Sequence, residues 1–342
     1  MTQTRTFGWR PLLLGLAVMA VWGSNFTVIK LALGTLPPLL FATLRFTFAL
    51  LPLVFFLPRP QVPWRNLAAY GLFIGLGQFG LLFIAINGHI AAGLASLVVQ
   101  CQAFFTIALS MWIGGERLLK IQWLALACAV TGIGIIALHG DTSTTPLGLM
   151  LVLAAAACWA GGNIVQRRSG ATNMLAYVVW ASLFSVPPLL ALSLIVEGPA
   201  AIAQGLRAAT PMVWAAVLWQ SVGNTMFGYG AWGWLLGRYP TSTVAPLSLL
   251  VPVFGMGFAA WILHEPLPVW KLAAAALVLG GLVINTDAQV IHTSGEAIPG
   301  LYAAGSVTGG FFGDVYPAGG SAVAMAVATG RIAGANAASL VK

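Results

Sequence analysis

The sequence predicts an all-α membrane protein of ten transmembrane helices, arranged as two inverted five-helix repeats and followed by a small Gly-rich appendage. Three observations carry that prediction. Of the 342 residues, 59% are hydrophobic and only 6% are charged, whereas a soluble domain carries roughly 25% charged residues. The charges are also segregated. Residues 66–115 contain none, and 11–29, 121–140, 142–166, 169–196, 208–237 and 239–264 are likewise charge-free. About 20 apolar residues cross the roughly 30 Å hydrocarbon layer, so each window is long enough for one span or two. The third observation is an internal likeness. Trp22-Gly-Ser-Asn25 has Lys30 eight residues after its Trp, and Trp159-Ala-Gly-Gly162-Asn163 has Arg167 at the same distance. Trp112-Ile-Gly-Gly-Glu116 likewise matches Trp261-Ile-Leu-His-Glu265, and Gly132 and Gly281 share the offset of that second pair.

With Gly, Pro and charge as punctuation, the spans fall near 11–32, 37–57, 68–87, 90–114, 120–138, 146–166, 173–196, 211–236, 241–263 and 268–285. The first repeat is then residues 1–140 and the second 141–285. Five spans per half is an odd number, which turns the second half upside down relative to the first. Inverted repeats of this kind recur in secondary transporters, with the substrate site near the bilayer midplane. Arg5 and Arg10 precede the first apolar run without a small-residue cleavage site, which reads as a first span and not a removed signal peptide.

Orientation follows from the positive-inside rule. With the N-terminus in the cytoplasm, the inner segments hold Arg5, Arg10, Arg59, Arg65, Arg117, Lys120, Arg167, Arg168 and Arg238. The outer segments hold Arg207 and Lys271, with Lys30 at the end of the first span. The expectation is an inner (plasma) membrane protein, multi-pass, with both termini cytoplasmic. The net charge of +8 does not indicate nucleic acid, because the basic residues are scattered singly or in twos and build no basic face. Cys101, Cys128 and Cys158 all lie in apolar runs at unpaired spacing, and read as small core residues.

Residues 286–342 differ from the rest. Ten of these residues are Gly, the charges are Asp287, Glu296, Asp314, Arg331 and Lys342, and no apolar run reaches span length.

Residues 11–285 resemble the EamA family of the drug/metabolite transporter superfamily, and are most similar to its bacterial exporters of O-acetylserine and cysteine. The runs that carry the resemblance are Trp22 to Lys30, Gly93 to Ile107, Gly115-Glu116-Arg117-Leu118, Trp159 to Ile164, Gly228 to Tyr239 and Val244 to Pro252. The resemblance implies a ten-helix inverted-repeat carrier that exports small amino-acid metabolites. The tail resembles the C-terminal end of fumarate-reductase-type FAD flavoproteins, through Ile298 to Gly305, Thr308-Gly309-Gly310, Gly319-Gly320-Ser321 and Gly330 to Gly334. In that group the Gly-rich segment lies against the flavin. Here no strand followed by G-x-G-x-x-G and a ribose-binding acid precedes it. A cofactor-free remnant is expected, and a membrane-tethered FAD oxidoreductase is the rival reading.

Polar side chains at membrane depth are costly and usually face a cavity or another helix. The first half offers Ser24, Asn25, Gln78, Gln100 and Gln102; the second offers Asn163, Gln166, Gln220, Asn224, Thr225 and Tyr229. Trp22, Trp159, Trp180 and Trp219 are aromatic partners. From these the expected substrate pathway is Trp22, Asn25, Arg45, Gln78, Gln100, Trp159, Asn163, Gln220, Asn224 and Tyr229. Gln100 and Gln102 are about 200° apart on a regular helix. Gln100 shares a face with Ser96 and is expected in the pathway, with Gln102 bonding a neighbouring helix. Lys30 and Arg167 fall at span ends, where snorkelling accounts for them. Arg45 lies well inside span two, paired with a carbonyl or placed to attract a substrate carboxylate.

None of the seven acids falls inside an expected span, and a proton-coupled carrier usually needs a titratable group in its pathway. Weak or no proton coupling is therefore expected. There is no G-x-x-x-x-G-K-[ST] run to bind ATP and no charged ring of a channel. The expected cargo is cysteine, O-acetylserine or a similar small neutral amino acid, with other amino acids or drug-like compounds as the alternative. The expected partners are that substrate and the bilayer, with room for a homodimer. No metal or cofactor is expected.

Overall fold

A computed structural model of the protein describes residues 8–114, 120–139, 144–170, 173–239, 244–279, 289–291 and 297–302. Glu116, Arg117, Asp141, Gly281 and the tail runs beyond Tyr302 lie outside the described residues. Among the described residues, five helices are long and apolar enough to cross a membrane: Trp9–Leu33, Pro38–Phe55, Trp64–Ile86, Pro146–Ser169 and Met174–Ala208. The chain forms two compact units. One comprises Met1–Thr106 and Asp141–Pro266, the other Ile107–Gly140 and Leu267–Lys342.

In the first unit, α1 (Trp9–Leu33) leads through a short turn to α2 (Pro38–Leu50). Then come α3 (Trp64–Gly71), a π-helical stretch (Leu72–Gly80) and α4 (Leu81–Ile86), continuous in direction. After Asn87-Gly88-His89, α5 (Ala92–Val98) passes through a 3-10 turn (Val99–Cys101) into α6 (Gln102–Gly114), of which only the part up to Thr106 belongs to this unit. Beyond α7 (Lys120–Leu138), which belongs to the second unit, follow α8 (Pro146–Ser169), α9 (Met174–Leu192), a short π turn (Ser193–Glu197) and α10 (Gly198–Ala208). Next, α11 (Pro211–Leu218), a second nine-residue π stretch (Trp219–Phe227) and α12 (Gly228–Leu236) make one run. A 3-10 turn (Ala245–Leu249) opens α13 (Leu250–Leu263).

Several helices begin at side-chain caps that the sequence places just before a Pro or an apolar run. The Thr145 hydroxyl accepts from Gly148 N–H at 3.0 Å, Asn173 Oδ1 from Ala176 N–H at 3.1 Å and Thr210 from Val213 N–H at 3.4 Å. Each satisfies an amide that a helix start otherwise leaves bare. The π stretches arise where small and hydroxylated residues loosen the ordinary ladder. Leu72–Gly80 contains Gly75, Gly77 and Gly80. In Trp219–Phe227 the Thr225 hydroxyl reaches back five residues to the Gln220 carbonyl at 3.1 Å. Such irregular turns inside helices often sit at functional sites.

Small residues set the packing. A Cβ on Gly23 would collide with Phe254 and the Val251 carbonyl, and one on Gly255 with Ser96, so α1, α5 and α13 meet almost backbone to backbone. This is the close approach expected between helices in lipid.

At one end of this unit the Lys30 ammonium donates to the Ile86 carbonyl at 3.1 Å, which places the C-termini of α1 and α4 together. Lys30 thus neutralises the bare carbonyl end of a neighbouring helix. Two carboxylates serve helix starts there. Glu197 accepts from the N–H groups of Leu39 (2.6 Å) and Leu40 (3.0 Å) and from the Ser193 hydroxyl (2.6 Å). Glu265 accepts from Ala92 (2.8 Å) and Gly93 (3.0 Å). Helix α10 is packed nearby, its Gly205 against Thr35 and Pro37. The expected spans place residues 197–210 in an outer loop. They fold into this helix instead, because Gly198 takes the left-handed backbone (φ 82°) and Pro199 is pre-set for a first turn.

Arginine and tryptophan gather at the other end. Arg59 stacks over Trp64 (4.0 Å to the ring centroid), Arg238 over Trp234 (4.4 Å) and Arg10 over Trp9 (5.3 Å). Trp180 N–H donates to the Leu57 carbonyl there at 3.1 Å.

In the second unit α7 packs on α14 (Val269–Leu279). Gly132 lies against Val278 and Leu277, and His139 stacks on Trp270 with centroids 5.2 Å apart. The described part of the tail is a two-stranded antiparallel ladder, β1 (Gln289–Ile291) with β2 (Ala297–Tyr302), in the register Gln289 to Tyr302 and Ile291 to Ala297. Strand β2 coincides with the start of the flavoprotein-like run.

Candidate substrate site around Arg45

Arg45 lies seven residues into α2, about 10 Å along the helix from its start, and is 1% exposed. Its side chain reaches the second π stretch. One terminal nitrogen donates to Gln220 Oε1 at 3.1 Å and the other to Asn224 Oδ1 at 3.3 Å. The same stretch holds the α2 backbone, since the Ser221 hydroxyl donates to the Arg45 carbonyl at 2.9 Å. Phe79, from the first π stretch, covers the guanidinium with its ring centroid 3.6 Å from Cζ. The π stretches Leu72–Gly80 and Trp219–Phe227 therefore converge on one cation. Its partners are neutral amides and an aromatic face, and among the described residues no carboxylate pairs with it. A buried charge without a counter-ion is costly, which makes Arg45 the candidate centre of a functional site.

Helix α1 completes the cluster. Trp22 N–H donates to the Asn224 carbonyl at 3.1 Å, and Gln220 Nε2 to the Asn25 carbonyl at 3.4 Å. Trp219 N–H donates to the Ser24 hydroxyl at 3.2 Å. The Trp22 ring meets Tyr229 at 5.7 Å and Trp232 at 5.5 Å between centroids. A Cβ on Gly228 would strike the Trp22 indole, so only Gly admits this approach.

Six of the residues expected from sequence thus come together: Trp22, Asn25, Arg45, Gln220, Asn224 and Tyr229. Asn163 is elsewhere, donating to Gln102 Oε1 at 2.8 Å and to the Thr106 hydroxyl at 3.4 Å. Trp159 is half-buried one turn earlier on α8. Gln78 is buried in the first π stretch, and Gln100 is half-buried on the 3-10 turn Val99–Cys101.

Sequence reasoning missed Tyr70 and Tyr177. The Tyr177 hydroxyl donates to Asn66 Oδ1 at 2.6 Å, its ring meets Tyr70 at 4.8 Å, and Tyr70 in turn interacts with Tyr229. Tyr177 and Tyr70 therefore extend the aromatic surroundings of the site toward Asn66. The only sequence signal was three tyrosines within a few residues of span ends, which read equally well as an interfacial belt.

A family profile described as the EamA-like transporter family matches residues 9–138 and 146–286. The chain belongs to that family. A probable amino-acid metabolite efflux pump of Salmonella typhimurium is 45% identical over 279 residues, covering 80% of this chain and 93% of the relative. Its counterpart in Escherichia coli is 43% identical with the same coverage. An uncharacterized inner membrane transporter of E. coli is 31% identical over 174 residues, covering 47% of this chain and 56% of the relative. One solved structure superimposes with a TM-score of 0.51 at 19% identity, covering 79% of this chain and 93% of its own, a likeness of fold.

A profile for an FAD binding domain matches residues 263–323, overlapping the end of the EamA match. Among the described residues no dinucleotide site is formed. The chain contains the pattern G-x-G-x-x-G at 75–80 and at 228–233, yet these stretches are π-helical and α-helical and follow helices, not strands. Their glycines are spent on packing, Gly75 against Ser185, Gly77 against Cys158 and Gly228 against Trp22.

Proposed function

We propose that this EamA-family transporter is an inner-membrane exporter of small amino-acid metabolites resembling cysteine and O-acetylserine, working by alternating access between two inverted five-helix repeats. The observation that carries the reading is the buried Arg45 guanidinium, held by Gln220 and Asn224 at mid-helix in a bundle nearly free of charge. A zwitterion with one carboxylate suits that single cation. The efflux-pump names of the relatives point to the same class of cargo.

The repeat reading is supported by irregularities that recur across the halves. The two nine-residue π stretches begin at Leu72 and Trp219, and two of the three described 3-10 turns at Val99 and Ala245. Their spacing is close to that between Glu116 and Glu265. A cytoplasmic Arg-rich end is supported by the Arg–Trp stacks of Arg10, Arg59 and Arg238, which lie opposite Glu197 and Glu265.

Both described span-end acids are engaged on helix starts away from Arg45, so efflux follows the substrate gradient with little proton coupling. The tail binds no FAD in this reading. Export of radiolabelled cysteine and O-acetylserine from cells expressing the chain is the test. Wild type exports both and Arg45→Ala exports neither; equal export by the two proteins refutes the reading. A several-fold stimulation by a pH gradient in proteoliposomes refutes uncoupled efflux. The second reading, an FAD enzyme tethered by the spans, rests on the match at 263–323. It fails if a chain lacking residues 286–342 retains full export.

A further inference from the structure

We propose that Arg45, Asn224 and Asn25 together recognise the α-carboxylate and α-ammonium of an amino acid, so that the protein reads the amino-acid head group and leaves the side chain largely unread. This rests on the exporter reading and assigns the substrate atoms within it.

Buried polar atoms in proteins are almost always hydrogen-bonded, and each exception needs a reason. Among the described residues five buried side-chain atoms have no partner: Asn25 Oδ1, Thr27 Oγ1, Arg45 Nε, Thr144 Oγ1 and Asn224 Nδ2. Two are hydroxyls outside this network: Thr27, two residues and so about 200° round α1 from Asn25, and Thr144, ahead of α8. The remaining three belong to residues joined by one run of hydrogen bonds, from Asn224 to Arg45, from Arg45 to Gln220 and from Gln220 to Asn25.

The chemistry of the three atoms is specific. Arg45 Nε and Asn224 Nδ2 are donors, and the first is cationic. The amide orientation of Asn224 is fixed, because its Oδ1 accepts from Arg45. Phe79 covers one guanidinium face, and the terminal nitrogens are held by Gln220 and Asn224. The Nε edge therefore remains for an in-plane anion, the geometry that suits a carboxylate. Asn25 Oδ1 is an acceptor and has no use for a carboxylate, but it suits an ammonium. The rings of Trp22 and Tyr229 beside it add a cation-binding surface. Two donors and one acceptor complement a zwitterion, and they mismatch an amine, an ester or an N-acylated acid.

The test is counterflow of radiolabelled cysteine in proteoliposomes containing the full chain, with unlabelled competitors. Cysteine and O-acetylserine compete. Cysteamine and cysteine methyl ester, which lack the carboxylate, and N-acetylcysteine, which lacks the ammonium, each compete at least about tenfold more weakly, the loss expected when charge-assisted bonds are left unmade. Arg45→Lys and Asn224→Leu weaken cysteine about tenfold while cysteamine changes little. Asn25→Leu narrows the gap between cysteine and 3-mercaptopropionate, which carries no ammonium. Cysteamine competing as well as cysteine overturns the head-group assignment and leaves the exporter reading intact. A wild-type protein that moves neither cysteine nor O-acetylserine overturns both. The competitor series needs only the wild-type chain, so the assignment stands or falls even where a variant fails to fold.

Discussion

Asn25 and Asn163 occupy similar Trp-led motifs in the two halves of the sequence, yet they meet different fates. Asn163 is satisfied by Gln102 and Thr106, neither of which is charged. Asn25 sits beside a buried cation and keeps an unpartnered carbonyl oxygen. A duplicated motif has thus been resolved into a closed polar contact on one side and an open one on the other. Closed contacts hold helices together; open ones are available to cargo.

The largest break in that contrast comes from Arg45→Ala. Export falls to background, and the bared Gln220 and Asn224 oxygens cost about 1–3 kcal/mol each, read as a lowered melting temperature of the purified protein. Next is Gly228→Val, whose side chain drives into Trp22. It reduces export strongly, because overpacking costs about 1–3 kcal/mol and displaces the aromatic side of the open cluster. Asn163→Ala sharpens the comparison from the other side, costing about 0.6 kcal/mol for a membrane hydrogen bond with most export retained. If its export collapses as far as that of Arg45→Ala, the closed cluster is not merely structural and the contrast is lost. The smallest effect belongs to a double-mutant cycle of Gln102→Ala with Asn163→Ala, where thermal stability shows a coupling of about 0.6 kcal/mol.

The helices were legible wherever a charge-free window ended at a cap or a charge. Residues 211–236 match the expected bounds because the Thr210-Pro211 pair marks their start. The register within them was not legible. Hydropathy records which residues are apolar, not which carbonyl an amide reaches, so neither π stretch could be read. The 3-10 turn Val99–Cys101 shifts the helical phase between Gln100 and Gln102, and a calculation on an ideal helix does not see it. Arg45 was visible as an anomaly, but its partners are 175 and 179 residues away, a distance that composition and period do not bridge. Tyr70 and Tyr177 passed unnoticed because a composition count places tyrosine among the hydrophobic residues.

The carboxylates of Glu197 and Glu265 have a mechanical consequence. Each comes from the second half of the chain, and each grips two successive amides of a helix in the first half, α2 or α5. They act as stitches across the sequence at a single face of the bundle. A movement that parts the halves there must break both pairs of hydrogen bonds or carry the stitched helices along as one body. Helix α2 bears Arg45, so the grip of Glu197 ties the position of the cation to the fastening of that face.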